Sequence, residues 1–379
     1  MTDTQFHTPF GMFQLHRLPK RERELLRAWD AADEYVLNTL AAEDFDINKP
    51  MICNDSFGAL SVALHSFKPV NWSDSITAHK CAQQNLSLND ISGTGVTYLD
   101  SLQLPVKPVS VVIIKVPKTL ALFEDQLIRL KPLLTNNSLM IVAGMAKSMP
   151  SAVWKILERI IGSTKTSRAI KKAKIIHVTV DEKLKLPANP YPVKWELEDS
   201  EFSLSNHANV FSREKLDIGT RFLLQNLPVT KGAGNVIDLG CGNGVLGLML
   251  ASQNKQVKLH FVDESFMAVE SSRLNFKQVS DESPKATFHV SDDLNEFENL
   301  STDLVLCNPP FHQLQAVGDS VSLSMFKEAA RVLNADGELW VIGNRHLDYH
   351  KKLKHSFNQV ELITSNKKFV ILKATMPRI

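Results

Sequence analysis

The sequence predicts an α/β fold built from two similar domains in tandem. The chain has 379 residues, which is too long for one ordinary domain and suits two. Its C-terminal half alternates short β-branched runs with helical stretches, which is typical of a parallel sheet covered by helices. Its N-terminal half repeats the same order of segments in a weaker form, which indicates an internal duplication.

The C-terminal half, residues 200–379, contains seven segments with the composition of strands. Only Ser365-Asn366-Lys367 separates the last two, so these two strands should form an antiparallel hairpin. Helices are predicted at 245–253, 265–277 and 320–334. The predicted strands are 235–240, 258–263, 286–291, 303–308, 337–343, 359–364 and 368–374.

The N-terminal half, residues 1–190, carries four segments that match the C-terminal half in one order. Where the first segments align, Gly58 falls on Gly244. Three prolines within residues 186–201 interrupt periodic structure, so we place the domain boundary there. The matched pairs are 50–64 with 235–250, 70–75 with 260–265, 110–118 with 302–310, and 127–144 with 329–343.

The first copy has lost residues that would let it hold a ligand. A loop without glycines cannot bring its backbone as close to a bound molecule. We therefore expect a degenerate first domain without a cofactor site, the alternative being an unrelated α/β domain. The replacements are Ile52 for Asp238, Asn54 for Gly240, Ser56 for Gly242, and Lys115-Val116 for Asn308-Pro309.

Composition excludes some classes of protein. No stretch approaches 18 uncharged apolar residues, and the first residues lack the pattern of a signal peptide, so we expect neither a membrane span nor secretion. Four cysteines without CxxC spacing argue against a zinc site and a disulfide framework, and fit a reducing cytoplasm. No metal or obligate protein partner is expected. The cysteines are Cys53, Cys81, Cys241 and Cys307.

Charge leaves the question of a nucleic-acid partner open. The net charge of +2 neither requires nor excludes one. Two basic runs could bind phosphate, or could equally be solvated helix faces. One run contains Lys165, Arg168, Lys171, Lys172 and Lys174, and the other contains Lys351, Lys352 and Lys354.

A glycine-rich segment follows the first predicted strand of the C-terminal half and opens a helix. Glycines at this point let the main chain turn tightly and approach a nucleoside-type cofactor. The spacing Gly242-x-Gly244-x-x-Gly247, with Asp263 placed 19 residues after Gly244, also fits the dinucleotide fingerprint. On this pattern alone NAD and S-adenosylmethionine (SAM) compete. The segment is Asp238-Leu239-Gly240-Cys241-Gly242-Asn243-Gly244.

Carboxylates near this loop favour SAM. Asp238 would attract the ammonium group of SAM, whereas it would repel a pyrophosphate. Asp263, at the end of the second strand, is expected to accept hydrogen bonds from the ribose hydroxyls, a role common to both cofactors. Asp292 could bind the adenine amino group, with Asp293 as the competing candidate and helix capping as the alternative role. Gly240, Cys241, Gly242, Asn243, Gly244 and Asn308 should also border the cofactor.

Asn308-Pro309-Pro310-Phe311 follow the fourth strand and suit transfer to a planar amine. An exocyclic base amine becomes tetrahedral and gains positive charge as it attacks a methyl group, so two fixed acceptors for its hydrogens would stabilise the transition state. The side-chain oxygen of Asn308 and the carbonyl of Pro309 can supply this pair. The prolines keep the turn rigid, and Phe311 offers a flat face for a flipped-out base.

The chain resembles the bacterial ribosomal RNA guanine-N2 methyltransferases. That family carries two class I (Rossmann-like) methyltransferase domains, the first of them degenerate. The likeness covers nearly the whole chain. The likeness is clearest in three segments: the tetrapeptide Asn308–Phe311 together with the next residue, His312; residues 343–347; and residues 210–224, which in the family close over the cofactor.

This resemblance implies methylation of guanine N2 in 23S rRNA, with 16S rRNA as the close alternative. It also implies substrate contacts from His312, Arg345 and His346, for which surface exposure or capping is the competing reading. The first domain would recruit RNA, assisted by the 165–174 run.

Four other functions remain open on the residues alone. Adenine N6 and a protein glutamine amide present the same kind of amine, although Phe311 in place of tyrosine and the duplicated domain favour RNA. A non-catalytic RNA-binding protein would require a second eroded glycine loop. NAD-dependent reduction would require a hydride-transfer site with its own acid, and no segment resembles one.

Overall fold

The computed structural model describes residues 3–18, 24–42, 45–105, 109–230, 234–279, 285–310 and 315–378, with the side chains of residues 315–319 left out. The chain divides into two compact units, Met1–Tyr191 and Pro192–Ile379, called here the N-terminal and C-terminal units. Each unit contains one seven-stranded sheet and a separate two-stranded hairpin. The prediction of an α/β fold with two tandem domains of one architecture is confirmed.

The N-terminal unit orders its large sheet as β5-β4-β3-β6-β7-β9-β8. All neighbours are parallel except β9, which runs antiparallel to β7 and β8. Its strands are β1 Gln5–Thr8, β2 Gly11–Gln14, β3 Met51–Cys53, β4 Val70–Ser73, β5 Thr97–Asp100, β6 Val111–Lys115, β7 Leu139–Met145, β8 Thr164–Thr166 and β9 Ala173–Val178, and its helices are α1 Ala31–Ala42, α2 Ala59–Ala63, α3 Ile76–Leu88, α4 Leu120–Leu130 and α5 Ala152–Ile160.

The C-terminal unit has the equivalent order, β14-β13-β12-β15-β16-β18-β17, and β18 is again the antiparallel strand. Its strands are β10 Val193–Glu196, β11 Ser203–Asn206, β12 Asn235–Leu239, β13 Lys258–Asp263, β14 Ala286–Val290, β15 Thr302–Cys307, β16 Leu333–Asn344, β17 Phe357–Ser365 and β18 Phe369–Pro377, and its helices are α6 Ile218–Leu224, α7 Val245–Gln253, α8 Phe266–Phe276, α9 Gln315–Val332 and α10 Tyr349–Leu353.

The central strands are continuous apolar runs because helices cover both faces of each sheet. In the C-terminal unit, alternate residues of β15 enter two separate cores. Val305 and Cys307 pack into one, whereas Leu304 and Leu306 pack into the other. The middle of the sheet is therefore buried, and polar residues gather where the parallel strands end.

Most predicted elements match the observed ones. The seven strands of the C-terminal sheet are found, and β17 and β18 form the predicted hairpin. Helix α9 begins at Gln315, five residues before its predicted start. The sequence analysis did not identify the β1–β2 and β10–β11 hairpins or the strands β5, β8 and β9. Apart from the six-residue β9, these strands have three or four residues and carry partly exposed side chains.

The basic run at 165–174 lies on the β8–β9 hairpin, so its interpretation as a solvated helix face is wrong. Two consecutive residues at its turn, Lys171 and Lys172, have positive φ, which helix formation excludes. The second run lies on and just after α10.

All four cysteines are free and buried. The described residues contain no cluster of His, Cys, Asp and Glu that could hold a metal ion. No helix within the described ranges is long and apolar enough to span a membrane.

Candidate active site

The glycine loop, residues 240–244, connects β12 to α7 in a conformation that requires glycine. A Cβ on Gly244 would come within 2.7 Å of the Cβ of Ser272, and one on Gly247 within 2.4 Å of the Phe261 ring. These two glycines allow α7 to pack closely against β13 and α8. A Cβ on Gly242 would meet nothing within 4 Å, so the loop leaves open space there. The φ angles of Gly240, Gly242 and Gly244 are 70°, 55° and 75°.

Asp238, near the end of β12, is a buried carboxylate with one oxygen satisfied. It is 1% exposed, and its Oδ2 accepts the Gly247 N–H at 3.0 Å. Its Oδ1 is buried and receives no hydrogen bond from any residue that the structure describes. Burial raises the pKa of Asp238 to about 7, despite the Gly247 N–H. A buried acceptor of this kind suits a ligand that brings a positive charge or a donor.

Asp263, the last residue of β13, fixes the glycine loop from the next strand. Its Oδ2 accepts the Gly242 N–H at 2.9 Å, and its Oδ1 accepts the Ser265 N–H at 3.0 Å. A carboxylate has about four lone-pair positions, so each oxygen can accept a further hydrogen bond from a hydroxyl group.

The other two predicted loop residues serve the shape of the loop. Asn243 accepts the Val245 N–H through Oδ1 at 3.3 Å, and its carbonyl accepts Nδ2 of Asn275 at 2.9 Å. Cys241 is buried, and burial raises the pKa of its thiol well above the usual range. A thiol held neutral in this way is not a nucleophile.

The two acidic candidates after β14 differ in their surroundings. Asp293 belongs to a local turn, since its Oδ1 accepts the Asn295 N–H at 3.1 Å and the Ser291 hydroxyl at 3.2 Å. Asp292 is exposed. The turn therefore gives Asp293 a structural role, and the assignment of Asp292 to the adenine amino group stays a prediction.

Asn308, the residue after β15, is held by a hydrogen-bond relay. Its Nδ2 donates to Thr220 Oγ1 at 2.9 Å. The Thr220 hydroxyl in turn donates to Asp217 Oδ2 at 3.5 Å, and the same oxygen caps α6 by accepting the Thr220 N–H at 3.0 Å. This order of donors turns the Asn308 oxygen, Oδ1, away from Thr220. That oxygen is buried and has no partner in the described part of the chain.

The remaining residues of the tetrapeptide are described only in part. Pro309 is buried and Pro310 is exposed. Phe311 and His312 lie outside the described residues.

Arg345 and His346 follow β16 and are exposed. Arg345 donates Nη1 to the Asn366 carbonyl at 2.9 Å and its N–H to the Lys368 carbonyl at 3.0 Å, so it fixes the β17–β18 turn. His346 lies in the short 3-10 turn that follows the same strand, β16.

Sequence reasoning missed three residues of this region. Thr220 lies within the segment 210–224 that carried the resemblance, and Asp217 three residues earlier is a recognisable helix cap. Asn344 ends β16 and has a buried oxygen, and its only signal was the segment 343–347.

The basic residues at 165–174 form a partly paired surface. Lys171 bonds to Glu34 at 2.7 Å, and Lys174 lies 5.8 Å from the centre of the Trp154 ring. In the second run Lys351 pairs with Asp348 at 2.8 Å. Lys165, Arg168, Lys171 and Lys172 are exposed.

The sheet order brings these groups to one edge. The strands β14, β13, β12, β15 and β16 are neighbours in that order and are parallel, so their carboxyl ends lie side by side. Ligands of open α/β sheets bind at this edge. The arrangement offers a glycine loop with open space beside Gly242, a buried carboxylate at Asp238 and an oriented amide oxygen at Asn308.

Two family models match the chain, one for each unit. The model of the RLMG N-terminal domain matches residues 3–182. The model of the methyltransferase small domain matches residues 201–373.

Relatives match the chain over nearly its full length. A protein of Aeromonas salmonicida (strain A449) is 47% identical over 98% of this chain and 99% of its own length. One of Pseudomonas aeruginosa (strain UCBPP-PA14) is 46% identical over 97% of this chain and 99% of its own. Both are named ribosomal RNA large subunit methyltransferase G.

A solved structure shares the fold. It is the T. thermophilus 16S rRNA N2 methyltransferase RsmC, in complex with AdoMet and guanosine. The TM-score is 0.77 at 19% identity, covering 98% of this chain and 97% of that one.

Proposed function

The chain belongs to the ribosomal RNA large subunit methyltransferase G family, and we propose that it methylates the exocyclic N2 amine of a guanine in 23S rRNA. SAM is its cofactor, in line with the methyltransferase family of the C-terminal unit. Because the relatives are named for the large ribosomal subunit, we favour 23S rRNA over 16S rRNA as the substrate. The RsmC structure shows the shared fold and does not bear on the choice of RNA.

The observation that carries the proposal is the buried oxygen of Asn308. Thr220 and Asp217 orient the amide so that this oxygen is an acceptor, and no described residue satisfies it. A buried polar atom without a partner is costly in a folded protein, so a donor from the substrate is expected there. The amine of a base supplies such a donor.

Asn308 and Pro309 together would direct the amine. The Asn308 oxygen accepts one of its hydrogens and the Pro309 carbonyl accepts the other. This pair favours the tetrahedral form of the nitrogen and stabilises the positive charge that develops during attack. Pro309 and Pro310 keep the turn rigid and carry no N–H groups that would act as competing donors. We assign the stacking face to Phe311 and a further base or backbone contact to His312.

The cofactor loop fits SAM. The buried Oδ1 of Asp238 is suited to its ammonium group, and the open space beside Gly242 leaves room for a ligand against the backbone. When bound, SAM supplies a methyl group on a positively charged sulfur, which is a good leaving group. We propose that Asp263 holds the ribose and Asp292 the adenine, with Gly240, Cys241, Gly242, Asn243, Gly244 and Asn308 bordering the cofactor.

The chemistry requires no strong general base, since the methylated amine loses a proton readily. Positioning of the amine in line with the methyl group then provides most of the acceleration. We assign catalysis to the C-terminal unit and RNA recruitment to the N-terminal unit, where the exposed 165–174 run offers phosphate contacts. Because ribosomal RNA is the substrate, we place the protein in the cytoplasm.

The test incubates the protein with labelled SAM and, in separate reactions, deproteinised 23S rRNA and 16S rRNA, followed by digestion to nucleosides. We expect label in N2-methylguanosine. Label on adenosine, on 16S rRNA alone or on a protein would overturn the proposal. Comparison of rRNA from cells with and without the gene then maps the modified guanosine.

A further inference from the structure

Asn344 is a buried side chain with an unused acceptor at the carboxyl end of β16. It is 9% exposed, and its Oδ1 has no hydrogen-bond partner among the described residues. It precedes the short 3-10 turn Arg345–Leu347, but its side chain does not cap that turn. Capping, the usual structural role of an asparagine at such a position, therefore does not explain it.

Asn344 and Asn308 occupy the same face of the sheet on neighbouring strands. Cys307 pairs with Val341, so Asn308 lies beside Ile342, and Asn344 lies two residues further along β16. Leu306 and Ile342 share one core, and side chains alternate along a strand, which places both asparagines on that face. Neighbouring strands are about 5 Å apart and two residues span roughly 6.6 Å, so one base could reach both side chains.

Helix α6 contacts the ends of the strands that carry the two asparagines. Its Thr220 bonds to Asn308, and a Cβ on Gly219 would come within 3.2 Å of the Phe369 ring. Phe369 pairs with Asn344 across the antiparallel β16–β18 ladder. The first turn of α6 therefore lies over the ends of β15, β16 and β18.

The sheet order places Asn344 on the side of Asn308 away from the cofactor. Asp238 and Asp263 end β12 and β13, which lie on one side of β15, whereas β16 lies on the other side. A group that extends from the cofactor loop past Asn308 would reach Asn344 last. Asn344 is thus positioned to meet the substrate.

We infer that Asn344 reads the target base by accepting a hydrogen bond from guanine N1–H. This inference rests on the proposed function. Guanine presents two neighbouring donors, the 2-amine and N1–H, on its Watson–Crick edge, and a flipped-out base is read on that edge. Asn308 accepts from the amine and Asn344 accepts from N1–H. Adenine N1 carries a lone pair instead of a hydrogen, so it would repel the Asn344 oxygen.

The N-terminal unit has lost both acceptors together. Its Met145 ends β7 and pairs with Ala173, as Asn344 ends β16 and pairs with Phe369. The next N–H donates to a lysine carbonyl in both units, from Ala146 to Lys172 at 2.8 Å and from Arg345 to Lys368 at 3.0 Å. The unit with Lys115 in place of Asn308 therefore has methionine in place of Asn344.

The test uses the full chain and two ligated RNAs that differ only at the mapped position. One carries guanosine there and the other 2-aminopurine, which keeps the 2-amine and lacks N1–H and O6. We expect the wild-type protein to methylate the guanosine RNA at least about 100-fold faster, because a site built for a donor rejects an analogue without it. Asn344→Ala should reduce this ratio about tenfold or more.

Two variants separate recognition from folding. Asn344→Asp keeps the acceptor and the shape, and should retain the preference for guanosine. Asn137→Ala, an exposed asparagine of the N-terminal unit, is the matched control and should leave the ratio at the wild-type value. If Asn344→Ala leaves the ratio of the two rates unchanged, for example by slowing methylation of both RNAs equally, the proposed role of Asn344 is wrong. A wild-type protein that leaves the guanosine RNA unmodified would instead refute the proposed function.

Discussion

The two units keep one loop geometry while differing in what that loop can hold. Gly58 in the N-terminal unit has φ 76° and ψ 15°, and Gly244 in the C-terminal unit has φ 75° and ψ 12°. An asparagine on the second helix after the loop, α3 or α8, holds each loop in the same way. Asn85 donates Nδ2 to the Phe57 carbonyl at 2.8 Å, as Asn275 does to the Asn243 carbonyl at 2.9 Å. The duplicated backbone has survived the divergence of its side chains.

The N-terminal loop is occupied by its own side chains. Asn54, at the position of Gly240, donates Nδ2 to the Lys115 carbonyl at 3.0 Å and exchanges hydrogen bonds of 2.9 Å with Gln126. Asp55 accepts both the N–H and the hydroxyl of Ser61 at 2.8 Å through a single oxygen. In the C-terminal unit the space beside Gly242 is open and Asp238 keeps an unused oxygen.

The strand that ends at Asn308 shows the sharpest difference. Asn308 bonds to Thr220 at the start of α6, whereas Lys115 forms ion pairs with Asp33 and with Asp30 at 3.0 Å around the start of α1. Burial alone would lower the pKa of Lys115, but the two carboxylates raise it, so the lysine stays charged. An ion-pair cluster in the N-terminal unit takes the place of the Asn308–Thr220 hydrogen bond in the C-terminal unit, so one fold can hold two different arrangements of side chains at this position.

The largest effect should come from breaking that cluster. Lys115→Ala leaves two carboxylates without their cation, and removal of one partner from a buried pair costs about 3–5 kcal/mol. We expect the free energy of unfolding of the N-terminal unit to fall by that amount, measured by denaturant titration. Lys115→Asn combined with Asp33→Thr, which introduces the residue types of the C-terminal unit, should be more stable than Lys115→Asn alone. Equal stability of the single and double variants would contradict the correspondence of the Lys115–Asp33 pair with the Asn308–Thr220 pair.

The next effect should appear in catalysis. Asn308→Ala removes an acceptor needed mainly in the transition state, so we expect kcat to fall about 100- to 1,000-fold. SAM affinity, measured by calorimetry, should stay within about tenfold, or roughly 1.4 kcal/mol. A large loss of SAM affinity would mean that Asn308 mainly holds the cofactor. Thr220→Val is a milder variant. It frees the Asn308 amide to rotate and should therefore lower kcat by a smaller factor than Asn308→Ala does.

The sequence could predict the sheet, the glycine loop and the tetrapeptide because each is a local pattern. Runs of β-branched residues, glycines after a strand and Asn-Pro-Pro-Phe can be read within a few positions. The Thr220 contact could not be predicted in this way, since its partner Asn308 lies 88 residues away in the sequence. Asn344 is a single asparagine at a strand end, and only its burial distinguishes it. The β8–β9 hairpin was missed because Thr164–Thr166 has three residues and little apolar content.

A third test concerns the pH dependence of cofactor binding. The pKa of Asp238 is raised to about 7 by burial, so its carboxylate gains a proton as the pH falls through that value. Protonation removes the attraction for a cationic ligand. SAM affinity should therefore be constant above pH 8 and fall by up to about tenfold per pH unit below 7. Asp238→Asn should bind more weakly and remove this dependence; a pH profile that persists in this variant would assign the titration elsewhere.

A smaller change tests the two loops directly. Gly242→Ala adds a methyl group in the open space beside the loop and requires alanine at φ 55°, so SAM affinity should fall about tenfold. Ser56→Ala is the matched change in the N-terminal loop and should have no effect. Calorimetry of the wild-type protein should give one SAM per chain. A stoichiometry of two would show that the N-terminal unit also binds SAM.

The smallest effect concerns the basic turns, which the units share. Lys171-Lys172 precede β9 as Lys367-Lys368 precede β18, and in each unit the second lysine carbonyl accepts the N–H that follows the fifth strand of the sheet. If the N-terminal turn contacts RNA phosphates, Lys171→Glu with Lys172→Glu should weaken RNA binding several-fold. It should also reduce the slope of log affinity against log salt by about one to two.

The same double reversal at Lys118 and Lys155, two exposed lysines outside the run, changes the net charge equally and controls for long-range attraction. The Lys171–Glu34 pair is a surface contact, so its loss costs less than about 1 kcal/mol and should leave the N-terminal unit folded. Filter binding over a range of salt concentrations measures both quantities. If the two reversals weaken binding equally, the protein attracts RNA through its net charge, and the N-terminal turn has no specific contact. If only the Lys171-Lys172 reversal lowers the slope, this unit has kept an RNA contact at the corner of its sheet after losing its cofactor site.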